Sequence, residues 1–199
     1  MNTADERWAA YYERLKDRPP RFTSVFAQRR FSQPGFAVDL GAGGGRDTIP
    51  LLAAGWRVLA LDQEYTSIKA IRDSVPVELV SSLKLSQHSM ETAEWPECDL
   101  INSSFALPLC EKSEFPNVWQ RIIDRLRPLG RFSGQLYGNR DTWAKNGADD
   151  GVVAFTRSDC LSQLKGLKIE MFEEEEHDGF TPRGKLKHWH IFHIVARKD

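Results

Sequence analysis

The sequence predicts an α/β fold of three layers, in which a mostly parallel sheet of seven strands ends in a C-terminal antiparallel hairpin. Three observations lead there. Short apolar runs alternate with segments of helical spacing through the middle of the chain, the pattern of a parallel sheet crossed by helices. Within it, Phe36 to Asp62 reads as strand, glycine turn, helix, strand and acid, the order of a nucleoside-binding half-domain. Near the end, LKIEMFEE and Trp189 to Ala196 look like two strands. The polar stretch between them is too short for a crossover helix, so they pair antiparallel.

Taken in order, the first helix is expected from Asp5 to Lys16, where Trp8, Ala9, Tyr11, Tyr12 and Leu15 form a mixed apolar face and Pro19 and Pro20 stop it. A short segment over Phe22 to Arg30 follows, and Pro34 and Gly35 turn the chain into the first strand. Residues 1–34 thus read as an N-terminal helical cap on a single domain spanning 1–199. The core elements are then strand 36–40, helix 45–54, strand 57–61, helix Tyr65 to Arg72, strand Leu83 to His88 and strand Asp99 to Asn102. Helix 114–127 carries Phe115, Val118, Trp119, Ile122, Ile123 and Leu126 at helical spacing. It stops at Pro128, and Gly130 opens the fifth strand. A last helix covers Ser158 to Leu164.

Composition narrows the function. With 27 basic and 28 acidic side chains the formal charge is -1, so no global field draws the protein to nucleic acid or to an anionic membrane. The opening MNTADERWAA has neither the positive segment nor the apolar core of a signal peptide. No apolar run approaches the roughly 20 residues that span a bilayer. A cytoplasmic protein, monomeric or homodimeric, is the expectation. Cys98, Cys110 and Cys160 are odd in number and far apart, which suits isolated reduced thiols.

The glycine turn discriminates among nucleotides. A phosphate loop needs Lys followed by Ser or Thr, whereas Gly45 is followed by Arg46 and Asp47. A dinucleotide fingerprint starting at Gly41 and Gly43 would put the bulky Arg46 where its third glycine packs helix on strand. The alternate-glycine run Asp39-x-Gly41-x-Gly43-x-Gly45 instead resembles the first motif of class I S-adenosylmethionine-dependent methyltransferases. Asp62, ending the second strand, suits two ribose hydroxyls, a role shared with NAD sites. The resemblance extends to QHSMETAEW around adenine, to INSSFALPLC beside the methionine side, to GQLYGNRDTWA and to KHWHIFHIVARK. Over roughly the whole chain it is similar to the small bacterial tellurite-resistance methyltransferase group. NSSF lacks the paired prolines of the NPPY clamp found in nucleobase amino-group methyltransferases.

That resemblance implies S-adenosyl-L-methionine as cofactor, held by Asp39, Gly41, Ala42, Gly43, Gly45, Arg46, Asp62, Gln63, Met90, Glu91, Asn102 and Ser103. Strand-end loops gather on one side of a parallel sheet, so the acceptor would meet Trp8, Tyr11, Phe105, Asn139 and Trp143, with Tyr12, His88 and Arg140 as candidate catalytic groups. His88 stands near a strand end as a possible base, and Arg140 could hold an anion or pair with Asp141 at the surface. The expected reaction is in-line methyl transfer to a small-molecule nucleophile. A non-catalytic adenosine-binding protein and an NAD-dependent oxidoreductase are the alternatives. No metal is expected, because His188 and His190 face one side of their strand and His193 the other. Glu173 to Glu176 read as a solvated face.

Overall fold

The computed structural model describes residues 18–145 and 152–199, so the predicted helix over Asp5 to Lys16 and the candidates Trp8, Tyr11 and Tyr12 lie outside the described residues. The first described helix, α1 (Phe22–Gln28), leads to β1 (Phe36–Leu40), α2 (Thr48–Ala53), β2 (Arg57–Asp62) and α3 (Tyr65–Ser74). A 3-10 turn then precedes β3 (Leu83–Gln87) and β4 (Cys98–Ser103). After α4 (Phe115–Arg125) come β5 (Leu126–Gly138), α5 (Thr142–Lys145), β6 (Ala154–Phe155), α6 (Arg157–Gln163), β7 (Leu167–Phe180) and β8 (Leu186–Lys198).

The sheet order is β3-β2-β1-β4-β5-β8-β7, parallel from β3 to β5 and antiparallel from β5 through β8 to β7. Seven strands follow this path as expected. An eighth, the two-residue β6, pairs beside the end of β5. Alternation along the strands builds the layers. Val38, Leu40, Ile101, Phe132 and Phe192 pack with Phe115, Val118, Trp119 and Ile122 of α4, while Ala37, Leu100 and Val195 pack on the other face with α1 and α2. Trp119 anchors the first layer, its ring edge-on to Phe132 at 5.0 Å and its indole N–H donating to the Gln163 carbonyl at 3.0 Å.

Differences from expectation have local causes. The helix expected from residue 45 starts at Thr48, because Gly45 sits at φ +83° in the turn. The fifth strand begins four residues before Gly130, with a register shift opposite Cys98 and Leu100. The hairpin is far longer than its apolar signal: β7 runs to Phe180 and β8 starts at Leu186, leaving a tight turn closed by Thr181 and Lys185. Cross-strand polar pairs replace apolar alternation there. Glu174 binds Arg140, Arg157 and His190, and Glu176 binds Arg140 and His188, so the acidic run expected as a solvated face is an ion-pair surface. All three cysteines are free and buried, and burial pushes each thiol up to about 12.

Candidate active site

Where β1, β2 and β4 end, the chain leaves a cleft of about 360 Å³ floored by the glycine turn and by Asp39, Asp47 and Asp62. The turn is built for close backbone approach. Gly41 has φ +68°, and a Cβ there would stand 2.2 Å from Cβ of Ala106, so no larger residue fits between the β1 turn and the segment after β4. Gly43, at φ +53°, donates its N–H to Asp62 Oδ2 at 2.8 Å, and the Glu64 N–H reaches Asp62 Oδ1 at 2.9 Å. Each carboxylate oxygen keeps a lone pair for a ligand hydroxyl.

Asp39 is almost wholly enclosed. Its Oδ1 accepts from Asn102 Nδ2 at 2.8 Å and its Oδ2 from the Thr48 hydroxyl at 2.6 Å. Burial first, and then the Asp47 charge, push its carboxyl up to about 7 despite those two hydrogen bonds. Asp47 is itself tied to the Arg21 N–H at 2.7 Å. Three acids therefore share one floor, with Asp39 held toward neutrality, and Arg18, Arg21 and Arg46 are also among the lining residues.

One wall is the segment after β3. Met90 and Glu91 line the cleft together with His88. Arg121 of α4 grips this segment through the carbonyls of Met90, Glu91 and Ala93 at 3.1, 3.1 and 2.8 Å. Glu91 points outward to accept the Glu111 N–H at 3.0 Å, and His88 Nδ1 pairs with Ser86 Oγ at 3.0 Å. The opposite wall is Phe105, a non-glycine residue at φ +59°, with the Arg21 guanidinium 4.3 Å over its ring.

The sequence candidates divide accordingly. Asp39, Gly41, Ala42, Gly43, Gly45, Arg46, Asp62, Gln63, His88, Met90, Glu91 and Phe105 all line this cleft. Asn102 and Ser103 stand behind its wall, fully buried. Asn102 binds Asp39 and accepts the Ser133 hydroxyl proton, and Ser103 joins the Leu40 carbonyl to the Leu107 N–H. Asn139, Arg140 and Trp143 are not among the lining residues. Arg140 is drawn away by Glu174 and Glu176, whose carboxyl it holds down at about 2, and not by Asp141. Asp141 is fully buried against Lys187 at 2.7 Å, and the Lys187 ammonium sits 3.9 and 3.7 Å from the rings of Trp143 and Trp189. Glu174, Glu176 and His190 converge within 4.8 Å, with the Arg140 guanidinium binding all three. Sequence reasoning missed Arg21 and Asp47 as lining residues, although the acid directly after Arg46 was a visible signal.

Residues 37–130, the segment that forms this cleft, match the family described as a methyltransferase domain. The methyltransferase fold extends to the whole chain: TehB from Haemophilus influenzae superposes with a TM-score of 0.74 at 16% identity, over 95% of this chain and 66% of that one. This chain therefore spans slightly less than two thirds of that relative's length. The 1,6-didemethyltoxoflavin-N1-methyltransferase of Burkholderia thailandensis, solved with 1,6-didemethyltoxoflavin and S-adenosylhomocysteine, gives 0.66 at 19% identity over 100% of this chain and 92% of that one. A glycopeptide N-methyltransferase, MtfA, complexed with S-adenosylhomocysteine gives 0.64 at 16% identity, with 89% of each chain covered. At these identities the likeness is one of fold: a class I methyltransferase sheet with its antiparallel hairpin. No curated protein is matched by the sequence. No helix among the described residues is long and apolar enough to cross a membrane.

Proposed function

We propose that this protein binds S-adenosyl-L-methionine in the cleft and transfers its methyl group to a small-molecule nucleophile. The observation that carries the reading is the acidic floor, with Asp39 held near neutrality by burial and by Asp47. S-adenosylmethionine brings a sulfonium and an ammonium, positive charges that the Asp39, Asp47 and Asp62 floor favours. Its sulfonium supplies an already activated methyl group, so the protein needs to provide position rather than a covalent nucleophile. Asp62 is placed for the ribose hydroxyls, Met90 for the face of the adenine, and Asp39 and Asp47 for the charged tail. Asn102 and Thr48 orient Asp39 from behind, while Arg121 holds the Met90 segment in place. Phe105 closes the end where an acceptor would approach.

Support for a small acceptor comes from the similar 1,6-didemethyltoxoflavin-N1-methyltransferase, solved with 1,6-didemethyltoxoflavin bound. Balanced charge gives no reason to invoke nucleic acid. An NAD-dependent reading fits less well, because Arg46 occupies the third-glycine position. Calorimetry tests the donor: S-adenosylhomocysteine and S-adenosylmethionine should bind one per chain, and NAD should not. NAD binding without either would overturn the proposal. Labelled S-adenosylmethionine, with label read in the acceptor, then separates a transferase from a protein that only binds the nucleotide.

A further inference from the structure

Beside Phe105, two buried polar atoms have no hydrogen-bond partner: Oε1 of Gln135 and Nδ1 of His193. Their residues are direct partners across β5 and β8, so both side chains leave the sheet on the same face. That face lies under α1. Gln135 Nε2 donates to the Thr23 hydroxyl at 2.8 Å, and the Phe22 ring stands 4.8 Å from the His193 imidazole. Toward the cleft, the Phe105 ring meets the same imidazole edge-on at 6.4 Å. Phe105 is therefore the wall shared by the donor cleft and this second polar spot.

An unsatisfied buried polar atom costs about 1–3 kcal/mol, and two on facing residues, each at most 4% exposed, call for a ligand. Their chemistry says which kind. His193 Nε2 lies 2.6 Å from a Glu175 carboxylate oxygen, which can only accept, so Nε2 carries the ring proton and Nδ1 presents a lone pair. The free oxygen of Gln135 also only accepts. Two adjacent acceptors suit a group that donates hydrogen bonds, such as an amine or an N–H heterocycle, and offer nothing to a bare oxyanion.

We propose that Gln135 and His193 form the acceptor subsite, binding an N–H nucleophile through these two atoms, with His193 Nδ1 receiving the proton it releases. The assignment rests on the methyl-transfer reading and names the substrate class of that same site. As the acceptor nitrogen lone pair forms the N–C bond, the carbon–sulfur pair leaves with sulfur as a neutral thioether. The N–H proton moves to Nδ1, and Glu175 balances the imidazolium. Burial holds His193 below the usual histidine range before the reaction. Among the charged groups around it, Glu175 and Glu173 of β7 pull it up and Arg21 pulls it down. A neutral imidazole is the form that accepts a proton.

The test uses the full chain saturated with S-adenosylhomocysteine and two probes, aniline as an N–H donor and selenite as an oxyanion. Nitrogen NMR of the histidine side chains follows His193 Nδ1 during each titration. Aniline should shift that signal and selenite should not. Gln135→Leu and His193→Phe should each weaken aniline binding by about tenfold, the loss of one hydrogen bond of roughly 1.4 kcal/mol, while keeping S-adenosylhomocysteine affinity. Because these changes replace orphaned polar atoms by apolar ones, the folded state should survive them. An Nδ1 signal unmoved by aniline, tighter binding of selenite, or unchanged aniline affinity in both variants would overturn the assignment. Failure of the wild-type chain to bind S-adenosylhomocysteine would instead sink the donor reading, and this subsite with it.

Discussion

Replacing Asp39 by Asn should make the unliganded protein more stable at alkaline pH, the reverse of what removing a carboxylate from an ion pair does. The sign follows from its environment. Asp39 ionises near 3.8 in an unfolded chain and at about 7 in the folded one, because burial and Asp47 disfavour its charge. Between those values the folded protein keeps a proton that the unfolded chain has lost, so stability falls as pH rises, by about 1.4 kcal/mol per unit. Above pH 7 the penalty levels off at roughly 4 kcal/mol. Asn reproduces the shape of the neutral acid: its oxygen can accept from Asn102 Nδ2 and its amide can face the Thr48 hydroxyl. The stability difference between Asp39→Asn and wild type should therefore grow in the variant's favour by about 3 kcal/mol from pH 5 to pH 8. Urea unfolding at the two pH values measures it. A variant that is less stable than wild type by the same amount at both would refute the reasoning, since Asp39 would then be a stabilising anion. The ligand side has the opposite sign. A cation above Asp39 favours its ionised form, so binding of S-adenosylmethionine at pH 6 should release a proton, visible as a dependence of calorimetric heat on buffer, and should tighten as pH rises through 7.

Asp62→Ala removes the acceptor for Gly43 and Glu64 and the proposed ribose partner, and should weaken S-adenosylhomocysteine binding about 10- to 100-fold; unchanged affinity would exclude Asp62 from the ribose site. Arg121→Met strips three carbonyl partners from the Met90 segment, so amide exchange at residues 89–93 should accelerate while the sheet stays protected, and donor affinity should fall several-fold. Lys187→Met leaves Asp141 buried without its cation, which should lower stability by about 3 kcal/mol in urea titrations; a loss below 1 kcal/mol would mean that the His190 and Trp143 N–H groups alone satisfy Asp141. Cys98, Cys110 and Cys160, with thiols at about 12, should resist a disulfide reagent at pH 8 until the protein is unfolded.

What the sequence disclosed and what it hid follow one physical line. β1 and β2 are buried on both faces, so their apolar runs and the flanking glycines marked them, and Asp39 and Asp62 came with them. The outer half of the hairpin is held by pairs such as Glu176 with His188, which carry no hydrophobic period, and it passed for a loop. That one omission displaced Arg140. A strand-end arginine looks available for an anion until β7 places two glutamates beside it. Likewise Trp143 reads as a substrate cover, yet it packs around Lys187, whose own strand assignment depended on knowing how long β8 is. The resemblance of INSSFALPLC to the segment beside the methionine side assigns Asn102 to the ligand. Its position directly beside Asp39 depends on the register of β4 against β1 and β5, which no local pattern encodes.

The antiparallel turn of β8 has a chemical consequence as well as a topological one. In a fully parallel sheet the strand beside β5 would bring its carboxyl end to the ligand side. Reversed, β8 instead lays His193 opposite Gln135, and β7 beyond it supplies Glu175. Methylation of an N–H group moves a positive charge from the sulfonium to the acceptor and then to a proton. In the proposed reaction Asp39, Asp47 and Asp62 would surround the start of that path, and Glu175 would stand behind its end. Charge created at such an acceptor would meet a carboxylate already fixed in place, with little reorganisation required as it develops. A hairpin whose outer half is written in glutamates and histidines, and therefore unreadable as a strand, is what delivers that carboxylate.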